Sequence, residues 1–399
     1  MTRTTLAAPS LVSQSAERVV HMVGLGTHHP PGLVRQAESA EIATQRCCDN
    51  DEQAHWLHRV YEQSTIERRH IVVMDDGRAA HDAFYPPRRS PDDRGPGVQQ
   101  RMQAYARFAP PLASAAARRA LAQAGVRPAD VRQLVTVSCT GFAAPGLDMR
   151  LIELLGLSPS VGRTAIGFMG CHGAVNGLRV ARALAHEHPG EPVLLCAVEL
   201  CSMHFQYGHH RQRIIANALF ADGAAACVLQ ASDHESATPA ATRAPNPAPA
   251  QWSVVDTTSC LLPNTQGVMT WTIGEHGFRM TLSPRVPALV KRHLRDFLQP
   301  WLAEHGLAVA DVGQWAVHPG GPRVLDAVEQ ALDLPASAMA ASRDVLRDYG
   351  NMSSPTVLFI IERLPCVAGD GPCVVLAFGP GLMIEAALLM PTSPPTPAG

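Results

Sequence analysis

Short apolar strands alternate with amphipathic helices on both sides of a connector rich in proline and alanine, residues 236–251. Before it we predict strands near 19–25, 133–138, 191–199 and 224–230, with helices at 36–63, 109–124 and 147–155. After it we predict strands near 252–257, 314–317 and 373–377, with helices at 286–302, 323–332 and 355–363. This alternation predicts an α/β architecture. We expect two halves, residues 19–235 and 252–391, between a flexible N-terminus (1–18) and a flexible tail (392–399).

The ends of the two halves resemble one another. Phe220-Ala-Asp-Gly stands before an apolar run in the first half, and Phe378-Gly-Pro-Gly stands before one in the second. Both place a glycine turn ahead of an apolar strand, which hints that the halves are duplicates.

Bulk composition excludes several classes of function. The 399 residues carry a net charge of −2, which gives no reason to expect nucleic acid as a partner. No apolar run is long enough to cross a bilayer, and the N-terminus lacks the apolar core of a secretory signal. We therefore predict a cytoplasmic protein without a membrane partner.

Cysteine and lysine usage narrows the chemistry further. The ten cysteines form no Cys-x-x-Cys pair, so neither a metal site nor a disulfide framework is expected. Only Lys291 among the 33 basic residues is a lysine, and no P-loop sequence occurs. A phosphate-bearing ligand must therefore be held by arginines, backbone amides or helix N-termini.

Three residues stand in distinctive settings: Cys171 in Gly-Phe-Met-Gly-Cys-His-Gly, His318 in Trp-Ala-Val-His-Pro-Gly-Gly-Pro, and Asn351 in Gly-Asn-Met-Ser-Ser-Pro. Cys171 opens a helical pattern, where peptide dipoles favour a thiolate. His318 follows a strand, at the sheet edge where α/β proteins keep their sites. A thiol, an imidazole and an amide are the groups needed to hold an acyl thioester and to stabilise charge on a second one.

The helix start after Asn351 has its own signature. Ser354 is predicted to cap the helix and Pro355 to be its first residue. Taken alone, Asn351 could serve only the turn that precedes this helix.

The chain resembles type III polyketide synthases, the chalcone-synthase-like branch of the thiolase superfamily, from about residue 20 to residue 389. The resemblance includes the Cys171 segment, Glu199, Ala-Leu-Phe-Ala-Asp-Gly at 218–223 and the His318, Asn351 and Phe378 motifs. It implies a homodimer with the layered αβαβα thiolase fold. It also implies that Cys171 accepts the starter acyl group from CoA, while His318 and Asn351 stabilise the enolate formed from malonyl-CoA. No metal or cofactor is implied; acyl-CoA and malonyl-CoA are the substrates.

The same resemblance places other residues around the substrate. Phe220 and Met280 match two gatekeepers between CoA and the cavity, and the flexible Met280 should admit longer acyl groups. The resemblance implies that the pocket also includes Cys139, Thr140, Cys201, His204, Trp271, Ser353, Phe378 and Gly379. Core packing is an equally open interpretation for Cys139 and Cys201. Arg59, Gly320, Gly321 and Arg323 match CoA contacts.

Several alternatives stay open at this point. A fatty acyl starter would lead to alkylpyrones or alkylresorcinols, and Met280 favours it. Malonyl-CoA as starter would instead make the chain a tetrahydroxynaphthalene synthase. A ketoacyl synthase of the fatty-acid-priming type also uses Cys, His and Asn. A cysteine hydrolase has this triad order, and an inactive relative could serve as a binding protein.

Overall fold

The fold was analysed in a computed structural model that describes residues 18–232, 252–366 and 371–392. The predicted connector and both predicted flexible ends lie outside these residues, except for Arg18 and Thr392. The strands are β1 (Val19–His28), β2 (Leu33–Arg35), β3 (Arg68–His70), β4 (Gln133–Ser138), β5 (Gly162–Gly167), β6 (Val193–Leu200), β7 (Asp222–Ser232), β8 (Trp252–Leu261), β9 (Met269–Gly274), β10 (Gly277–Leu282), β11 (Gln314–Val317), β12 (Cys373–Gly379) and β13 (Met383–Pro391). The helices are α1 (Gln36–Cys47), α2 (Asp51–Glu62), α3 (Arg78–Phe84), α4 (Val98–Ala124), α5 (Leu147–Leu155), α6 (Gly173–Glu187), α7 (Arg211–Leu219), α8 (Val286–Glu304), α9 (Pro322–Leu332), α10 (Ala340–Tyr349) and α11 (Thr356–Arg363).

Nine of the described strands form one mixed sheet in the order β11-β12-β13-β8-β1-β7-β6-β4-β5. From its centre, β1-β7-β6-β4 and β8-β13-β12-β11 repeat the same sequence of pairings. In each half two antiparallel pairs are followed by one parallel pair. β1 and β8 join the halves through two antiparallel residue pairs. The expected duplication is therefore visible in the topology, and β5 is an addition to the first half.

The two halves of the sheet enclose a central helical layer. α6 and α11 each contact strands of both halves, and residues 356–361 of α11 are all buried. α4 covers the outer face of the first half, and α8 and α9 cover the second. A helix buried on every side needs an apolar surface all round, which Val-Leu-Phe-Ile-Ile of α11 supplies. The layers run αβαβα, as the thiolase-like fold class predicts.

Most predicted elements form, and the differences have local causes. The helix predicted at 109–124 begins at Val98 and continues through Pro110 and Pro111. The short helix α3 was not among the predicted elements. The β9–β10 hairpin, which pairs Trp271 with Met280, was not predicted because its strands are mixed in polarity. It carries two pocket residues and positions both.

The described residues were also searched for membrane-spanning helices, metal-binding groups and disulfides. No helix there combines the length and apolarity needed to span a membrane. Nor do these ranges contain a group of three or more His, Cys, Asp and Glu side chains that could hold a metal ion. No disulfide joins cysteines in the described part of the chain.

Candidate active site

Cys171 lies between strand β5 and helix α6, in the central layer of the fold. It precedes the first helical residue of α6, Gly173, by two positions, and its side chain is buried. Gly170, immediately before it, has φ of +84°, a conformation that glycine adopts without strain. A Cβ at Gly170 would approach Pro380 to 2.6 Å, so the chain carrying Cys171 is packed tightly against the turn after β12.

His318 follows β11 directly, at the carboxyl edge of the sheet. Its backbone N–H donates to the Leu376 carbonyl of neighbouring β12 at 2.8 Å. The side chain is buried, and neither ring nitrogen has a hydrogen-bond partner among the described residues. A buried imidazole with both nitrogens unoccupied is available to exchange a proton or to bind a substrate atom.

Asn351 is fixed by its neighbours on both sides. Its backbone forms a parallel bridge with Phe220, with N–H···O distances of 2.9 Å to Leu219 and from Ala221. Its Oδ1 accepts a 2.7 Å bond from the Ser353 N–H. Because Oδ1 is occupied, the amide NH2 is left as donor, and Asn351 is a hydrogen-bond partner of the Cys171 thiol.

One large cavity brings the three residues together. This entrance cleft has a volume of about 590 Å³ and is lined by Cys171, His318 and Asn351. Phe378, Gly320, Gly321 and Arg323 line it too, as do Phe220 and Met280. The predicted catalytic residues, 180 positions apart at the extremes, therefore face one space.

A much smaller space lies on the other side of Phe220 and Met280. This inner chamber, of about 10 Å³, is lined by Cys171, Phe220 and Met280 together with Cys139, Thr140, Cys201, Trp271, Ser353 and Pro380, among others. Phe220, Met280 and Cys171 border both spaces, which is the position expected of gatekeepers and a nucleophile. Ser353 has φ of +57°, a strained conformation for a residue other than glycine.

Burial sets the protonation states of Cys171 and His318. Burial raises the pKa of the Cys171 thiol to about 11, although hydrogen bonds from Ser353 and Asn351 act in the opposite direction. Burial also lowers the pKa of His318 to about 3, with a smaller contribution from His172. Each group is therefore held neutral by itself, and a charged thiolate and imidazolium would stabilise one another only if they form together.

A buried carboxylate organises the wall behind Cys139 and Thr140. Glu199 accepts bonds from the Cys139 N–H at 2.9 Å, the Thr140 hydroxyl at 2.7 Å and the Ser354 hydroxyl at 2.7 Å. Burial raises the pKa of Glu199, and these donors oppose that shift. Glu199 received no role from the sequence, although a lone acid in the apolar strand Val-Leu-Leu-Cys-Ala-Val-Glu-Leu is a visible signal.

Ser354 corrects the sequence interpretation of this region. Its hydroxyl binds Glu199 and does not cap a helix, and α11 begins one residue later than predicted, with Pro355 as its N-cap. The cap prediction was wrong because a long-range acceptor competes for the hydroxyl.

Aromatic rings pack around Trp271, which lines the inner chamber. Trp271 donates its Nε1–H to the Cys139 carbonyl at 2.8 Å, and its ring meets His204 edge-on at 5.4 Å. His204 stacks on Phe278 at 4.1 Å. The Phe278 N–H donates to His204 Nδ1 at 2.9 Å, so Nε2–H donates to the Thr140 carbonyl at 2.7 Å. His204 is therefore a neutral ring, fixed against Trp271 and Thr140, rather than a free base.

Three predicted site residues line neither of these two spaces. His204 lines a third cavity, of about 60 Å³, which Phe220, Trp271 and Met280 also border. Arg59 is exposed on α2 and is not among the residues that line the entrance cleft. Gly379 lines neither space; its Cα faces the His172 ring, and a Cβ there would approach ring atom Cδ2 to 2.0 Å. Gly379 therefore makes room for a side chain beside Cys171.

The mouth of the entrance cleft contains a cation that the sequence did not single out. Arg211 lines the cleft and its guanidinium lies 5.6 Å from the ring centroid of Trp56, which also lines it. Arg323 completes this positive rim, and neither arginine forms a salt bridge in the described part of the chain. α7, α8 and α9 all begin at the cleft, and helix N-termini attract anions.

Comparisons with known proteins agree with this architecture. Residues 9–233 match the family "Chalcone and stilbene synthases, N-terminal domain", and residues 253–393 match its C-terminal domain. The chain is 32% identical over 369 residues to the alpha-pyrone synthesis polyketide synthase-like Pks18 of Mycobacterium tuberculosis, covering 92% of this chain and 89% of that protein. It is 33% identical over 391 residues to the 1,3,6,8-tetrahydroxynaphthalene synthase of Streptomyces peucetius, covering 96% and 97%.

A solved structure extends the likeness to three dimensions. The PKS-I of the brown alga Ectocarpus siliculosus superposes with a TM-score of 0.83 at 32% identity, covering 95% of this chain and all of that one. The duplicated five-layered fold places the chain among the thiolase-like acyltransferases. It belongs to the chalcone and stilbene synthase family, and it is a type III polyketide synthase. The predicted family and fold class are confirmed.

Proposed function

We propose that Cys171, His318 and Asn351 carry out decarboxylative condensation of malonyl-CoA onto an acyl group held on Cys171. The observation that supports this proposal is that all three side chains line the entrance cleft, and that Cys171 also borders the inner chamber. A nucleophile at that boundary can take an acyl group from one side and pass the growing chain to the other.

The steps follow from the groups present. His318 accepts the Cys171 proton as the sulfur attacks the starter thioester, and the departing CoA sulfur takes that proton. Malonyl-CoA then loses CO2, and the bonding electrons form an enolate whose oxygen is stabilised by the Asn351 amide and His318. The enolate carbon attacks the Cys171 thioester, which releases the sulfur and leaves a β-ketoacyl-CoA two carbons longer. No metal or redox cofactor is needed.

The positive rim of the entrance cleft suits the phosphates of CoA. Arg211 and Arg323 supply charge, the N-termini of α8 and α9 supply backbone donors, and Trp56 offers a flat apolar face beside Arg211. We infer that Arg211 takes over the role that the resemblance gave to Arg59. Acyl-CoA and malonyl-CoA would then enter along the same path.

The product is proposed to be a pyrone or a resorcinol-type ring formed from an acyl starter and malonyl units. The match to an alpha-pyrone synthesis protein supports this class. Malonyl-CoA as its own starter is the second candidate, and the inner chamber of about 10 Å³ favours it because a long starter would find little room there. The match to a tetrahydroxynaphthalene synthase also supports this second candidate.

We further propose a homodimer. β5 is the edge strand of the nine-stranded sheet, and exposed apolar side chains lie near both of its ends: Phe142, Met149 and Met169 are 46%, 42% and 37% exposed. An edge strand and an apolar patch of this kind are stabilised by covering them with a second copy. A cytoplasmic location fits the need for a reduced Cys171 and for CoA thioesters.

The test is mass spectrometry of products from the purified protein, given malonyl-CoA with starters from acetyl-CoA to long acyl-CoA. We expect ring products from the wild type and none from Cys171→Ala. Cys227→Ala is the matched control, because Cys227 is equally buried but lines neither space. Products that persist in Cys171→Ala would refute the proposed nucleophile, and a product from malonyl-CoA alone would select the second candidate.

A further inference from the structure

A line of buried polar side chains begins at the residue after Cys171 and ends at the protein surface. His172 Nδ1 lies 2.8 Å from Asn176 Oδ1, and Asn176 Nδ2 donates to Glu385 Oε1 at 2.9 Å. Glu385 Oε2 accepts from Arg179 at 2.5 Å. His172, Asn176 and Glu385 are only 2%, 8% and 2% exposed. None of them has a role in the condensation steps above.

The hydrogen bonds fix the protonation of His172. Glu385 accepts only, so the Asn176 NH2 must face it, and the Asn176 carbonyl oxygen must face His172. An amide oxygen also accepts only, so Nδ1 of His172 carries the proton. Its Nε2 therefore keeps a lone pair as long as the ring is neutral. Burial lowers the pKa of His172, which maintains the neutral form.

Packing ties His172 to the turn that follows β12. The Cδ2–Nε2 edge of the ring faces the Gly379 backbone so closely that a Cβ there would lie 2.0 Å from Cδ2. On the other side of Cys171, Gly170 is packed against Pro380 in the same turn. The nucleophile is therefore held between two contacts with one turn, and the His172 contact is set by Asn176 and Glu385.

The charge on His172 also matters to His318. The charged groups facing His172 are Glu385 on β13, Arg179 on α6 and His318 beyond β11. Glu385 favours a protonated His172, while Arg179 disfavours it. A positive His172 would oppose a positive charge on His318, which is the charge that His318 takes when it accepts the Cys171 proton.

We propose that His172, oriented by its hydrogen bond to Asn176 and by the Asn176 bond to Glu385, is a positioning residue for the Cys171–His318 pair. It holds Cys171 against the Gly379–Pro380 turn and leaves His318 free to become charged. This inference rests on the proposed roles of Cys171 and His318. It assigns a function to the pair His172 and Asn176, four residues apart at the start of α6.

The experiment measures the rate at which iodoacetamide alkylates Cys171, by peptide mass spectrometry, together with kcat and KM for malonyl-CoA as a function of pH. His172→Phe keeps a ring of similar size without the bond to Asn176. We expect kcat to fall about tenfold, as for other residues that orient a reactive group, with KM within twofold because the entrance cleft is untouched.

Asn176→Asp tests the charge. A carboxylate facing Nδ1–H raises the pKa of His172, so that a positive ring forms beside His318 and the midpoint of the fall in kcat toward low pH rises by about one unit. In Asn176→Asp/His172→Phe this rise should vanish relative to His172→Phe alone. A rise that persists in the double variant would overturn the proposal, because the new carboxylate would then act without His172. An unchanged kcat and pH midpoint in folded His172→Phe would overturn it as well.

A further variant tests whether the extra negative charge of Asn176→Asp disturbs the fold. Asn176→Asp places a carboxylate beside Glu385, whereas Asn176→Asp/Glu385→Gln keeps the number of charges constant and should show the same rise. Melting temperatures verify folding. Failure of the proposed function would appear separately, as a wild type that forms no product, while the alkylation of Cys171 would still report on His172.

Discussion

The entrance cleft and the inner chamber differ in volume, about 590 against 10 Å³, and in the residues that surround them. The cleft has a positive rim of arginines and helix N-termini, which suits a long charged carrier that must enter and leave. The chamber is lined by Trp271, which is held by its bond to Cys139 and packs against the fixed ring of His204. We therefore expect carrier binding and product shape to be set by separate regions, with Cys171 at their boundary.

The largest expected effect is on the decarboxylation rate, and it follows from a change at Asn351, beside Cys171. Asn351→Asp replaces the amide donor with a negative charge beside Cys171 and the enolate oxygen. We expect decarboxylation of malonyl-CoA to fall on the order of a thousandfold, the loss typical of a removed oxyanion donor. Release of CO2 from malonyl-CoA measures it. Asn264→Asp makes the same chemical change at an exposed turn and should have no effect; a rate within threefold of wild type for Asn351→Asp would disprove the assignment.

A smaller effect is expected inside the chamber. Trp271→Leu removes the indole that closes it, and the space gained should admit a longer starter or a further extension. We expect kcat/KM for a medium-chain acyl-CoA to rise about tenfold relative to that for acetyl-CoA, the scale of discrimination that a few methylenes provide. Trp271→Phe keeps an aromatic wall and is the control. An unchanged starter preference in Trp271→Leu would mean that the chain grows elsewhere.

The sequence predicted the α/β fold and the three residues of the cleft better than it predicted the wall of the inner chamber. Strand and helix periodicity, the glycine turns and the settings of Cys171, His318 and Asn351 are local patterns, and they predicted the α/β fold and the residues that meet in the cleft. The chamber wall depends on contacts distant in sequence: Trp271 donates to the Cys139 carbonyl, 132 positions away. No local pattern encodes such a pair.

The predictions for Ser354 and Gly379 were also wrong because both residues make contacts with residues distant in sequence. Ser354 looked like a helix cap because the adjacent Ser-Pro suggests one, yet its hydroxyl reaches Glu199, 155 positions away. Gly379 was assigned to the pocket by resemblance, and only the structure shows the His172 ring against it. By contrast, His172 and Asn176 are four apart on one helix, so their contact could have been predicted from spacing.

The smallest expected effect is on KM for malonyl-CoA, and it distinguishes Arg211 from Arg59 as the contact for CoA. Arg211 lines the entrance cleft and Arg59 does not, although the resemblance favoured Arg59. Arg211→Ala should raise KM for malonyl-CoA about fivefold, equivalent to about 1 kcal/mol for an exposed charge contact, with kcat unchanged. Arg59→Ala should leave KM within twofold. Because an exposed phosphate contact is screened by salt, the difference between the two variants should shrink as ionic strength rises. Equal effects would mean that CoA extends along α2, beyond the cleft rim.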